Sequence, residues 1–118
     1  MLEPTPTLRL PGAGATRNHT VVHGGLAYTV ATDPECSATL YDQTRGALAQ
    51  LDEHLAEIGL DKSRLLQVIV YITDMEQKPE MNRAWDEWVD RENAPQRACL
   101  GAGLEEGDLI EVVATAAA

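Results

Sequence analysis

The alternation of apolar and polar positions divides the chain into seven regular runs. His19-Thr20-Val21-Val22-His23 is a short β-branched run that ends at the turn signal Gly24-Gly25. Leu26-Ala27-Tyr28-Thr29-Val30-Ala31 follows as its hairpin partner, and Asp33-Pro34-Glu35 closes the pair. From Ser37 to Ile58, Leu40, Thr44, Ala47, Leu48, Leu51, Leu55 and Ile58 recur at spacings of three and four, which predicts a long helix stopped by Gly59. After the polar turn Asp61–Arg64, the run Leu66–Thr73 (LQVIVYIT) is apolar on both faces and reads as a central strand covered on both sides. Asp74–Lys78 reads as a loop. Pro79 suits the first turn of a second helix, predicted to reach about Arg91 with Met81, Ala84, Trp85, Trp88 and Val89 on its apolar face. Two last strands, around Arg97–Ala102 and Leu109–Thr115, flank a turn rich in Glu and Gly.

The order is thus β-β-α-β-α-β-β in one domain over residues 1–118, an α+β class with two helices on one face of a mixed sheet. Pro4, Pro6 and Pro11 exclude a regular helix over residues 1–16 and predict a loose or edge-hugging N-terminal arm. The sheet face away from the helices carries too many Val, Ile and Ala residues to stay wet, so a homo-oligomer is expected to cover it.

Composition narrows the function classes. A net charge of -10 over 118 residues opposes non-specific nucleic-acid binding. No basic start followed by an apolar run is visible, and no apolar stretch reaches membrane-spanning length, which together suggest a cytoplasmic protein. The two cysteines, Cys36 and Cys99, are expected to be reduced thiols there. No Cys/His cluster has metal spacing, and no phosphate-loop, serine-hydrolase or zinc-peptidase motif occurs.

Each of the last two strands holds one charge inside an apolar segment, and such a charge must be paired, solvated in a pocket or on an open edge. Arg97, extended because Pro95 lies two residues before it, reads equally as a bidentate grip on a carboxylate or as a structural ion pair. Glu111 could position a water or give a proton, but reads first as a charge on the solvent side of the last strand. Cys99 shares a strand face with Arg97 and reads as pocket lining or packing; as a nucleophile it lacks a local base. His19 and His23 are read on one strand face and His54 on the polar side of its helix, which is no metal set. Asn82, early in the second helix, could hold a neighbouring loop.

VYITDM followed by MN, then the Pro-x-Arg-x-Cys of APQRACL, then IEVVATA, stand in one collinear order. Over residues 18 to 117 this pattern resembles the reactive intermediate deaminase (RidA/YjgF) family, and MNRAWDEW resembles its YoaB-like branch. The resemblance implies a chorismate-mutase-like fold, a homotrimeric barrel with helices outside, and ligand clefts between subunits. It implies hydrolysis of reactive 2-enamine and 2-imino acids to 2-keto acids and ammonia, with no metal or organic cofactor. By position, Arg97 matches the arginine that binds the substrate carboxylate, Cys99 the cysteine lining that pocket, Glu111 the glutamate that holds the attacking water, and Asn82 a helix asparagine near the cleft. The alternative is a non-catalytic trimer that binds a small carboxylate metabolite or a partner protein; an endoribonuclease or translation-inhibitor role fits the charge less well. The sequence departs from the family where Ser-Gly-Gln is expected. Thr29-Val30-Ala31-Thr32 stands there, so Val30 and Ala31 are expected to reshape the ligand pocket. A Gly-Pro-Tyr segment near the N-terminus is also absent, leaving Arg17 to fill that space.

Overall fold

A computed structural model describes residues 4–118. Among these residues the elements run β1 (Thr7–Pro11), β2 (Asn18–His23), β3 (Leu26–Ala31), α1 (Leu40–Glu57), β4 (Leu65–Ile72), α2 (Lys78–Trp88), β5 (Gln96–Gly101) and β6 (Ile110–Ala117). They form a mixed six-stranded sheet of order β1-β2-β3-β6-β4-β5, with both helices on one face. All neighbours are antiparallel except β4 and β5. That pair is parallel because α2 crosses over between them and returns the chain in the same direction. The last two strands are therefore not partners: β4 lies between β5 and β6.

The expected element order gains one strand. The N-terminal arm, whose first three residues lie outside the described ones, supplies β1 as an edge strand on β2. Pro11 at its end lies at a break in the ladder, where a proline costs no hydrogen bond. Helix α1 starts three residues later than predicted. The Asp33 carboxylate accepts the backbone N–H of Glu35 (3.0 Å) and of Ser37 (2.9 Å), which holds this segment in a turn, and Thr39 Oγ1 caps the helix through Asp42 N. Burial pushes the Asp33 carboxyl up, but its bonds to Ser37 and Glu35 outweigh that and leave it below its ordinary value. At the other end Gly59, at φ 75°, lets its own N–H reach Ala56 O and that of Leu60 reach Leu55 O. Helix α2 stops at Trp88, short of Arg91. The Lys62 ammonium donates to the Trp88 carbonyl, and Val89 turns to an extended ψ of 141°.

The core lies between the sheet and the helices. Ala27, Ala31, Val68, Val70, Ile72, Val112, Ala114 and Ala116 point to Leu48, Leu51 and Leu55 of α1 and to Met81 and Trp85 of α2. Strand β4 is thus covered on one face within the chain, not on both: Ile69 and Tyr71 on its other face remain partly exposed. The same open face carries Leu26, Tyr28, Val30 and Leu100, each between 36% and 48% exposed.

Gly46 shows how closely α1 sits on the end of β3. A Cβ there would collide with the Asp33 carboxylate, which cannot swing away without releasing Ser37 and Glu35. In an open helix Gly→Ala gains about 1 kcal/mol. Here Gly46→Ala is expected to lose about 1–3 kcal/mol in denaturant unfolding, the usual range for overpacking; a gain in stability would contradict this packing.

Candidate active site

The pleat decides where the candidate residues go. Arg97 is in register with Val68 on β4, which is in register with Ala114 on β6. All three therefore face the helices. Arg97 Nη2 donates to Asn82 Oδ1 at 2.9 Å, its Nη1 lies 3.8 Å from Met81 Sδ, and its Cζ stands 5.3 Å from the Trp85 ring centroid. Cys99, two residues on, faces the same way and is partly buried. Among the described residues Arg97 has no carboxylate partner. Its neighbours are neutral, so the guanidinium keeps its charge free while its orientation is fixed.

Glu111 is in register with Tyr71, which is in register with Leu100. This row is on the opposite face of the sheet. Asn82, Arg97 and Cys99 are thus brought together, whereas Glu111 is not brought to them within one chain. Val30, on the open face at 40% exposure, lines the same cavity as Glu111. Ala31 corrects the expectation: its side chain faces the core and is 1% exposed, so only its backbone could meet a ligand.

The cavity holds about 410 Å³. It opens because the β2–β3 ladder ends at Thr20 and Thr29, while β3 runs on to Ala31. Pro11–Ala13, Arg17, His19, Gln50, His54, Glu105 and Asp108 contribute to its walls beside Val30 and Glu111. Burial raises the Asp108 carboxyl, with help from the nearby charges of Glu105 and Asp33.

Two histidines on this wall were misplaced by the sequence reading. His54 is not on a polar side but 8% exposed against β3, and its ring stacks on that of His19 at 3.8 Å between centroids. The periodicity contained this signal, since His54 follows Leu51 by three positions on the apolar stripe. His19 faces α1 because Leu10 pairs with Thr20 and Pro11 with Asn18, leaving His19 as the extra residue of a bulge. Bulges re-aim side chains in this way. The thiols of Cys36 and Cys99 are both free. Among the described residues no cluster of His, Cys, Asp and Glu is arranged to hold a metal, and no helix is long and apolar enough to cross a membrane.

These features define an α+β protein in which the Arg97 pocket lies under the helices, while Glu111, on the open face, lines a cavity at the end of β3 whose other wall is α1. A protein-family model described as endoribonuclease L-PSP matches residues 4–118. The chain is 43% identical over 98 residues to a RutC family protein of Haemophilus ducreyi, covering 81% of this chain and 84% of that one. It is 34% identical over 92 residues to the RutC family protein YoaB of Escherichia coli, covering 78% and 81%. A crystal structure of a YjgF family member from Neisseria meningitidis superposes with a TM-score of 0.90 at 32% identity, covering 98% of this chain and 97% of that one. The chain belongs to the YjgF/RidA family, the family of the endoribonuclease L-PSP model, and the YoaB-like branch fits it.

Burial and the facing His19 ring hold His54 below the ordinary histidine value, although Glu57, Glu53 and a hydrogen bond to the Val30 backbone oppose them. The unfolded chain therefore takes up this proton first. The resulting stability is full above about pH 6.5 and is lost as pH falls through the lower folded-state value. In thermal melts the wild type should weaken on acidification below about pH 6.5, and His54→Gln should weaken less over that window. Parallel curves would remove His54 as a cause.

Proposed function

We propose that this protein hydrolyses reactive 2-imino and 2-enamine acids to 2-keto acids and ammonia, in clefts between copies of a homotrimer. The observation that carries this reading is Arg97. It is partly exposed, held by Asn82 over Trp85, and matched to no carboxylate among the described residues. Such a group suits the carboxylate of a small acid. Glu111, on the opposite face, lines a cavity of its own chain that the Arg97 of a neighbouring copy would meet. In that cleft Arg97 of one copy anchors the substrate, which fixes the imine carbon. Glu111 of the other orients a water toward it, and most of the gain is positioning. An enamine first shifts a proton from nitrogen to carbon to become the imine. Attack of the water then forms the C–O bond, moves the C=N pair onto nitrogen and passes the water's proton to it. A second proton passes from the new hydroxyl to nitrogen as the C–N bond breaks. Loss of ammonia then leaves the keto acid. The chain's own side chains suffice for these steps. The free apolar face of Leu26, Tyr28, Val30 and Leu100 supports assembly. The endoribonuclease description of the family carries over less well, because a net charge of -10 repels a phosphate backbone.

The test is ammonia release from imino acids made in place by an amino-acid oxidase. Wild type should exceed the spontaneous rate. Arg97→Ala should lose about 10- to 100-fold, the worth of charge-assisted hydrogen bonds, and Glu111→Ala should be similarly impaired. Co-assembling the two variants in equal amounts should restore about a quarter of the clefts, since Arg97 and Glu111 come from different copies. No restoration would place both groups in one copy's site. No acceleration by wild type would leave a carboxylate-binding trimer without turnover.

A further inference from the structure

The bulge at His19 does more than relieve a strand. It places His19 and His54 face to face, with interplanar angle 16°, and links them a second way through side chains. His19 Nδ1 lies 2.7 Å from Thr20 Oγ1, Thr20 Oγ1 donates to Thr29 Oγ1 at 2.9 Å, and Thr29 Oγ1 lies 3.0 Å from His54 Nδ1. Both threonines are buried, at 1% and 2% exposure. With Thr20 as donor, the chain has one consistent polarity: His19 Nδ1–H gives to Thr20, Thr20 to Thr29, and Thr29 to a bare His54 Nδ1. A proton added at His54 Nδ1 must reverse every hydroxyl, and His19 must then give up its Nδ1 hydrogen and carry one on Nε2 instead. That Nε2 faces Glu57 Oε2 at 3.6 Å. Two cationic rings with centroids 3.8 Å apart would repel each other.

We propose that His19, Thr20, Thr29 and His54 form one unit that holds a single proton on the wall of the Glu111 cavity, and that its charge sets the acid limit of activity there. The unit is a positioning and electrostatic device. Around it stand Glu53 and Glu57 on α1, Arg17 before β2, and Glu105, Asp108 and Glu111 across the cavity. When the unit is neutral the cavity is acidic and favours an iminium nitrogen beside Glu111. When it takes its proton, the added cation opposes that nitrogen and weakens the pull of Glu111 on its water. Its effect on turnover rests on the deaminase reading; its behaviour as a proton site does not.

Two measurements test the proposal separately. Nitrogen-detected NMR of the histidine rings in the wild-type protein should show Nδ1–H on His19 and bare Nδ1 on His54 at high pH. On acidification the pair should gain one proton shared between the rings. Thr20→Val, which keeps the shape but removes the relay, should make the two rings titrate at separate values. Independent, complete protonation of both rings in wild type, or an unchanged titration in Thr20→Val, would overturn the unit. This holds whether or not the protein turns over imino acids. For activity, the acid limb of the rate–pH profile should fall in the histidine range. In His19→Gln/His54→Gln it should move to lower pH, out of the histidine range. An acid limb unmoved in the double variant would overturn the unit's role in catalysis. Absence of turnover in wild type would instead overturn the deaminase reading, and with it that role, while leaving the NMR result to decide the proton site.

Discussion

The structure depends on the period of two along its strands. Register places Arg97 in the row of Val68 and Ala114, under the helices, and Glu111 in the row of Tyr71 and Leu100, on the open face. A slip of one residue in β5 would exchange those faces and drive Leu100 against α2. The side chains around it hold that register. Arg97 is fastened to Asn82 and covered by Trp85, and neither contact survives a shift of the strand by one residue. The same rule that builds the core therefore separates the two charged groups. No rearrangement of loops could bring them together inside one chain.

In the proposed deaminase, assembly and chemistry are coupled by this separation. The helix face satisfies itself: its apolar residues are buried and, among the described residues, no buried side-chain polar atom lacks a partner. The other face does not. Tyr28 and Val30 stand about half exposed beside Val113, and the cavity of Glu111 opens next to them. Covering apolar surface of this kind is worth about 25 cal/mol per Å², so the force that would join copies acts beside the Glu111 cavity. Val30 belongs to both: it adds to the apolar face and lines the cavity.

Much of the fold was legible in the sequence because periodicity reports burial directly. The alternation in Leu26–Ala31 and the helical stripe of Leu40–Leu55 gave β3 and α1 almost as they stand. The limits of α1 and α2 were not legible, because distant partners set them: Asp33 holds the chain out of helix before Leu40, and Lys62 caps Trp88 from 26 positions away. Strand β1 was hidden by its prolines and by pairing with a strand whose own pattern is weak. In the site, the grouping of Arg97 with Cys99 followed from their spacing, but the opposite placement of Glu111 required the order β5-β4-β6, which no local pattern contains. Ala31 was assigned to the ligand pocket by its place in a motif, although the alternation of β3 directs its side chain to the core. His54 was judged by its polarity when its position on the stripe said otherwise, and His19 was re-aimed by a bulge that has no sequence signature of its own.

The most direct measurement is a crystal structure of the assembled protein with a 2-keto acid, the product class, bound. The account predicts its carboxylate on Arg97 of one copy, beside Asn82, and its carbonyl carbon facing Glu111 of a second copy. A ligand held wholly within one chain, or a carboxylate seated away from Arg97, would contradict it.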